Sequence, residues 1–477
     1  MPWSRIRVFM RGARMTNGSW QFLLVVFLTS VGGFFTCTFA QPSQNSSAQP
    51  PIPYLDPSKQ TYSKLAEEVE AALRRDVLDV WFPRTADTEN GGFHSDFGRD
   101  WKPGEQSGGK FSVFQGRMTW ISAQVAMRRP ELKDKFLPIA RHGLEFLEST
   151  LWDKQYGGFY WGLDNKGQVS PFYTDGKHLY GISFGLYGAA AAYQATKEPA
   201  ALVLAQRTFH WVDEHAHDPK NGGYFEWLTR EGKVVTGNPD AVTLQTVPVS
   251  GFPIGYKSMN THIHLLESFT QLYEAWKDET LRQRLEELLQ IVRDKVCVQP
   301  GVMSLYFTNE WRPYPDHDSY GHDVETAYLM LEAEDVLGHG HDPSTEHMTK
   351  LLVDHALANG WDETYGGFFQ EGTTFGKPES KQKEWWVQME GLNSLLLMHE
   401  KYGRQTDVYF KAFQLQWQFI KTYQIDHEFH GVYEMVGPDG KPEDPSKGRI
   451  WKAAYHDGRA LLNVSERLRR LSEKGVN

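Results

Sequence analysis

Six short clusters in this chain of 477 residues carry side chains that can move protons or hold a charged intermediate. In chain order they are Gln115-Gly116-Arg117, His178, His262-x-His264-x-x-Glu267, Gly321-His322-Asp323-x-Glu325, Trp385-Trp386-x-Gln388-x-Glu390 and Trp451-Lys452-x3-His456-x-x-Arg459. Imidazole titrates near neutral pH, so two histidines at one pocket can serve as base and acid, one removing a proton and the other returning it. Glu267 follows His264 by three residues and shares its helix face, where a carboxylate would fix the imidazole tautomer and stabilise its charged form. Arg117 would set a cation beside a developing oxyanion. Trp385, Trp386 and Trp451 offer flat faces that suit the apolar C–H faces of pyranose rings, and His322, Asp323, Glu325 and Glu390 are expected to bind substrate beside them. A lone histidine or tryptophan is ordinarily core. Histidines that open several separate segments, all pointing to one place, call for chemistry.

Other chemistries lack their residues. His427-Glu-Phe-His430 has its histidines three apart rather than four and lies in a turn, so it is not a helical zinc motif, and His339-Gly-His341 follows a helix end. The chain has no phosphate-cradling glycine loop, dinucleotide fingerprint or Gly-x-Ser-x-Gly elbow. Neither a metal nor a cofactor is expected.

The elements that must position these clusters come from a repeat. Five times the chain writes Asp, three residues, Gly or His, Gly, then an aromatic residue or valine, beginning at Asp87, Asp153, Asp218, Asp362 and Asp426. The wide gap after Asp218 spans two periods, and Gly301-Val302-Met303 marks the missing copy. Six units of about 65 residues suit a helical hairpin with a turn and a short extended piece. Apolar spacing with Gly and Pro breaks predicts twelve helices, over 62–80, 112–128, 134–151, 178–195, 199–216, 258–276, 279–296, 322–337, 344–359, 384–402, 405–422 and 452–472. Odd helices are amphipathic with ordinary charged faces, whereas even helices hold more Gly, Ala and aromatic residues. The expected fold is all-α, an (α/α)6 barrel with the even helices inside. All six inner N-termini then open at one end, bringing the six clusters to one pocket.

Residues 1–40 read as an export signal: Arg5, Arg7, Arg11 and Arg14 precede an apolar run from Phe22 to Phe35, and Thr38-Phe39-Ala40 offers small residues for cleavage. The expected product is periplasmic or secreted, or membrane-anchored if the segment is retained. Residues 41–59, rich in Gln, Ser and Pro, read as a linker, and 60–472 as the barrel. Without its four leader arginines the chain keeps 46 of its 50 basic residues against 60 acidic ones, a net charge of −14. Such a surface argues against nucleic acid and polyanionic substrates. Only Cys297 survives processing, so no internal disulfide is expected. A stretch from Thr236 to Tyr256, leading into the His264 helix, is expected to cover the pocket.

Taken together, the motifs around Arg117, Asn260 to Glu267, His322 to Glu325, Trp386 to Glu390 and Trp451 to Arg459 resemble the N-acylglucosamine 2-epimerase superfamily over about residues 60–470, most of all its cellobiose 2-epimerase branch. The resemblance implies an (α/α)6 barrel and C2 epimerisation of a reducing-end sugar through a cis-enediolate, without metal or redox cofactor. It implies acid/base roles for His264 and His456, ring opening or substrate binding for His178, oxyanion stabilisation for Arg117 and stacking for Trp386 and Trp451. Ala454 stands where the family commonly has proline, and Met389 and Gly391 depart from the commoner Gln-Ala-Glu-Ala. Three alternatives remain: aldose–ketose isomerisation through the same intermediate, an (α/α)6 glycoside hydrolase recruiting two of Glu267, Glu325 and Glu390, and a non-catalytic oligosaccharide-binding protein.

Overall fold

Two helix compositions sort into two rings in the computed structural model, which describes residues 54–476 apart from 107, 171–172, 174–175, 237–244, 247–252, 341 and 374–375. The outer helices are α1 (Lys59–Ala72), α3 (Lys133–Phe146), α5 (Pro199–Ala216), α7 (Glu279–Ile291), α9 (Pro343–Asn359) and α11 (Val408–Phe419). The inner ones are α2 (Ser112–Arg128), α4 (Leu179–Thr196), α6 (Met259–Ala275), α8 (Tyr320–Leu337), α10 (Trp385–Tyr402) and α12 (Tyr455–Lys474). Inner helices pack in the cycle α2, α4, α6, α8, α10, α12 and back to α2, and each carries one outer helix, with α1 lying on α12. The expected (α/α)6 barrel is the observed fold. Small residues let the inner ring close: a Cβ on Gly116 of α2 would strike the carbonyl oxygen of Phe184 in α4.

The repeat acquires a physical cause here. Each of the five turn aspartates caps its own turn, as Asp87 does by accepting the backbone N–H groups of Glu89 and Asn90 at 3.0 and 2.9 Å. Each also binds a buried lysine just ahead of the inner helix of its unit: Lys110 to Asp87 at 2.7 Å, Lys177 to Asp153 at 3.0 Å, Lys257 to Asp218 at 2.7 Å, Lys383 to Asp362 at 2.6 Å and Lys447 to Asp426 at 2.9 Å. The two residues before the aromatic take positive φ, which favours glycine; in the sixth unit His430 accepts φ 59°. Short strands then stitch each unit to the next, Lys110–Phe111 to Gly162–Leu163, Lys177–His178 to Trp227–Leu228, Lys257–Ser258 to Tyr306–Phe307, and Lys383–Glu384 to Met435–Val436. Single bridges Asp318 to Gly372 and Phe97 to Gly448 complete the circle. Turn, lysine and strand or bridge thus fix where the inner helices of these five units begin.

Residues 1–40 and most of 41–59 lie outside the described residues, as does most of the stretch Thr236 to Tyr256, whose Gln245–Thr246 and Pro253–Ile254 segments pair antiparallel. Among the described residues no helix is long and apolar enough to cross a membrane.

Candidate active site

Residues one to eight positions into the inner helices converge at the end of the barrel where these helices start. At their centre is Arg459 of α12, 1% exposed, whose guanidinium gathers three carboxylates. Its Nη1 donates to Glu267, and its Nη2 to Glu325 and, at 2.6 Å, to Glu390. Tyr455 also donates to Glu267. Burial pushes Glu267 up, but Arg459 and the hydrogen bonds of His264 and Tyr455 outweigh it and hold the carboxyl at about 2. Glu390 is pushed up by burial, and its Oε2 has no hydrogen-bond partner.

Two of these carboxylates back histidines. His264 donates its Nδ1–H to Glu267 at 2.9 Å, and His456 donates its Nδ1–H to Glu390 at 2.6 Å. A carboxylate fixes the tautomer, so Nε2 of each ring is the basic atom, and it takes no protein hydrogen bond among the described residues. His322 pairs its Nδ1 with Ser319 Oγ at 2.7 Å. Its ring lies 4.7 Å from Trp386, which is 5.7 Å from the ring of His456 on its other contact. Burial pushes His322 down to about 4; burial and then the charge of Arg117 push His456 well below the usual imidazole range. Both rings are therefore neutral at pH 7.

Arg117 donates to the carbonyl of Trp451 at 2.9 Å and to the Tyr180 hydroxyl at 3.0 Å, with its guanidinium over Phe184 and Tyr455. Among the described residues no carboxylate lies within ion-pair distance of it, so its charge is available to a ligand. Trp386 and Trp451 are half-buried against this group, and Trp386 rests on Gly321, where a Cβ would strike its ring. Trp385 is buried, packs under the Lys452 ammonium and meets the His456 ring edge-on at 6.3 Å.

Three expectations change. His178 caps α4, accepting the Tyr180 N–H on Nδ1 at 3.2 Å, while its Nε2 faces Glu226 at 3.1 Å and its ring stacks on Trp161. Both nitrogens are engaged by protein, so His178 orders one wall of the pocket. His262 donates to the Ser258 carbonyl at 2.7 Å and accepts the Tyr224 N–H at 3.0 Å, holding its turn as Gln115 and Gln388 hold theirs. Asp323 does not join the pocket: it sits with Asp318 and His355 between α8 and α9. Sequence reasoning missed Tyr180, Glu226 and Tyr455. The first two adjoin the paired strands Lys177–His178 and Trp227–Leu228, and only that pairing reveals them.

Glu325, Glu390 and His456 have the donor types of a metal site, but the Arg459 guanidinium already supplies their cation. Behind this layer, near the other ends of the inner helices, a cavity of about 340 Å³ is lined by Trp120, Tyr187, Tyr328, Glu332 and the backs of Glu267 and Arg459.

Known proteins place this geometry. A cellobiose 2-epimerase of Bacteroides fragilis is 30% identical over 84% of this chain and 98% of its own length, and one of Dictyoglomus turgidum is 28% identical over 85% and 99%. The solved cellobiose 2-epimerase of Bacillus thermoamylovorans superposes with a TM-score of 0.74 at 27% identity, covering 85% of this chain and 99% of that one. The family model for N-acylglucosamine 2-epimerase matches residues 91–460, and the chain belongs to that family.

Proposed function

We propose that this pocket epimerises the reducing-end aldose of a cellobiose-type disaccharide at C2, the chain being an isomerase of the sugar 2-epimerase kind. The observation that carries the reading is the placement of two neutral imidazoles, His322 and His456, against one tryptophan, with the unneutralised Arg117 acting on both. Once the hemiacetal opens, the C1 aldehyde acidifies the C2 proton. One imidazole takes that proton, the C2–H electrons pass into the C1–C2 bond, and O1 gains the negative charge that Arg117 stabilises. The other imidazole takes up the O1–H proton released as the hemiacetal opens and delivers it to the opposite face of C2 as O1 returns its electrons, and the proton taken from C2 goes back to O1 when the ring recloses. The resemblance pointed to His264 as partner of His456; His322 is supported instead because it shares Trp386 with His456, whereas the His264 ring lies against Tyr180 and Phe184. In this reading His264 serves the sugar oxygens during ring opening. A second reading keeps His264 as the base, favoured by the likeness of the His264–Glu267 and His456–Glu390 pairs.

The three glutamates a hydrolase would need are all engaged by Arg459, which speaks against two carboxyls bracketing a glycosidic bond. Incubation with cellobiose, lactose, glucose, mannose and N-acetylglucosamine in deuterium oxide tests the proposal. Expected is the C2 epimer of a disaccharide carrying deuterium at C2; release of monosaccharides, or inversion without label, would refute it, and a ketose as main product would assign the isomerase instead. Export remains part of the proposal. Intact mass of protein recovered from the cell envelope should start near Gln41, and a chain retaining residues 1–40 would count against cleavage.

A further inference from the structure

The fourth unit breaks the pattern of the other five. Two residues ahead of an inner helix, where Lys110, Lys177, Lys257 and Lys383 stand, it has Asp318; three residues into the helix, where Gln115, His262 and Gln388 hold their turns, it has Asp323. Its turn, Cys297 to Met303, has no aspartate. Two carboxyls therefore meet where other units place an ammonium or an amide. Both are 0% exposed, and their four oxygens lack well-formed hydrogen bonds to the rest of the protein, the Ser319 N–H and His355 Nδ1 being the nearest groups to Asp318. His355 of α9 completes the group, its Nδ1 3.3 Å from Asp318, with one ligand atom from each residue lying within 4.8 Å of the others. Two carboxylates cannot both stay ionised in such a place without a cation. A buried structural zinc takes four ligands, and among the described residues three donors are grouped here, which favours a proton.

We propose that Asp318 and Asp323 share one proton, closed off by His355, and that this carboxyl pair clamps the first turn of α8 and so positions His322 against Trp386. The clamp spans the turn: Asp318 is fixed to Gly372 by backbone hydrogen bonds of 2.7 and 3.0 Å, Ser319 holds the His322 ring, and Asp323 follows it. Asp323 donates and Asp318 accepts. Burial, reinforced at Asp323 by the neighbouring carboxyl, raises both affinities for protons, Asp323 the more. The other groups facing the pair are His317 from the preceding loop, Tyr320 on the same turn, Cys297 from the fourth turn and His355, which burial keeps neutral. A raised carboxyl affinity means that the clamp is whole at low pH and is lost as pH rises through the raised value.

The role given to His322 rests on the epimerase reading, so the test has one arm that needs no sugar. Melting temperature and turnover are followed from about pH 6 to about pH 9 in the wild type, Asp323→Asn, Asp318→Asn and Asp323→Ala. Asp323→Asn keeps a donor to Asp318 and removes the proton, so its melting temperature should fall less on the alkaline side than that of the wild type. Turnover should survive in Asp323→Asn, with a flatter alkaline limb. Asp323→Ala should lose about tenfold or more in kcat with KM changed less than about twofold. An alkaline fall in melting temperature identical in the wild type, Asp323→Asn and Asp318→Asn would overturn the proposal. So would one equivalent of divalent metal in purified wild type that Asp323→Asn lacks.

Discussion

His264 donates to Glu267 and His456 to Glu390, and both glutamates meet at Arg459, yet the two pairs hold their charge differently. Glu267 accepts from His264, Tyr455 and Arg459 and stays an anion down to about pH 2. Glu390 takes both of its donors on Oε1, leaves Oε2 buried and bare, and is pushed up by burial. His456 also feels Arg117, which with burial keeps its ring neutral. Resemblance in sequence and in contacts thus hides a difference in electrostatics. A reversible epimerase needs two bases of like character, and His322 shares with His456 both a lowered proton affinity and contact with the Trp386 ring.

The sharpest way to break this comparison is to remove the rings. His456→Ala and His322→Ala should each lose about 1,000-fold in kcat, the upper range for a general acid or base, and the double variant little more. His264→Ala should lose about 100-fold on a closed sugar and recover much of that on a 4-linked disaccharide whose reducing unit lacks the 5-hydroxyl and cannot close. Deuterium exchange at C2 measured by NMR reads all three. If His264→Ala fails on the open analogue while His322→Ala turns it over, the second reading of the base pair holds.

Much of this was legible in the chain because repeats report fold. The spacing of Asp87, Asp153, Asp218, Asp362 and Asp426 marks the hairpins, and inner-helix starts follow from it. Cluster membership was legible for Arg117, His264, His456, Glu390 and Trp386, since inner N-termini share one end. Facing was not. Gln115, His262, Asp323 and Gln388 stand three residues into their helices and turn outward to the repeat turns, while Arg117, His264, Glu325 and Glu390, two residues further, turn inward. A difference of two residues on a helix buried all round leaves no polar-to-apolar alternation to read. The engagement of His178 by Glu226 depends on pairing between neighbouring units, which local spacing does not encode.

Stability should separate the two carboxylates next. Glu267→Gln removes the anion that satisfies three donors and should cost about 3 kcal/mol in denaturant unfolding, against about 1 kcal/mol for Glu390→Gln, whose carboxylate is less well satisfied. The sign with pH follows from the lowered affinity of Glu267: its contribution is present above the ordinary carboxylate range and is lost as pH falls toward 2. Equal losses in the two variants would erase the electrostatic difference. A smaller shift comes from Glu325, whose Oε1 lies 4.0 Å from His456 Nδ1 and raises that ring's proton affinity. Glu325→Gln should therefore move the acid limb of kcat/KM downward by about one pH unit, because a weaker base stays unprotonated to lower pH. An upward shift would show that His456 is not the group titrating.

The smallest effect separates the two tryptophans of the pocket. Trp386 touches both His322 and His456, so any change in its ring shifts the reacting groups, and Trp386→Phe should lower kcat. Trp451 packs edge-on against Phe111 and tilts over Tyr180, and the bond it gives Arg117 comes from its carbonyl, which every substitution retains. Trp451→Phe therefore keeps the bond to Arg117 and trims a stacking surface. Such a loss weakens ground state and transition state alike, so KM should rise about threefold with kcat unchanged. A drop in kcat for Trp451→Phe equal to that of Trp386→Phe would mean that the two walls are coupled, and that the side of the pocket built from Trp451, Arg117 and Tyr180 takes part in setting the histidines as well as in holding the sugar.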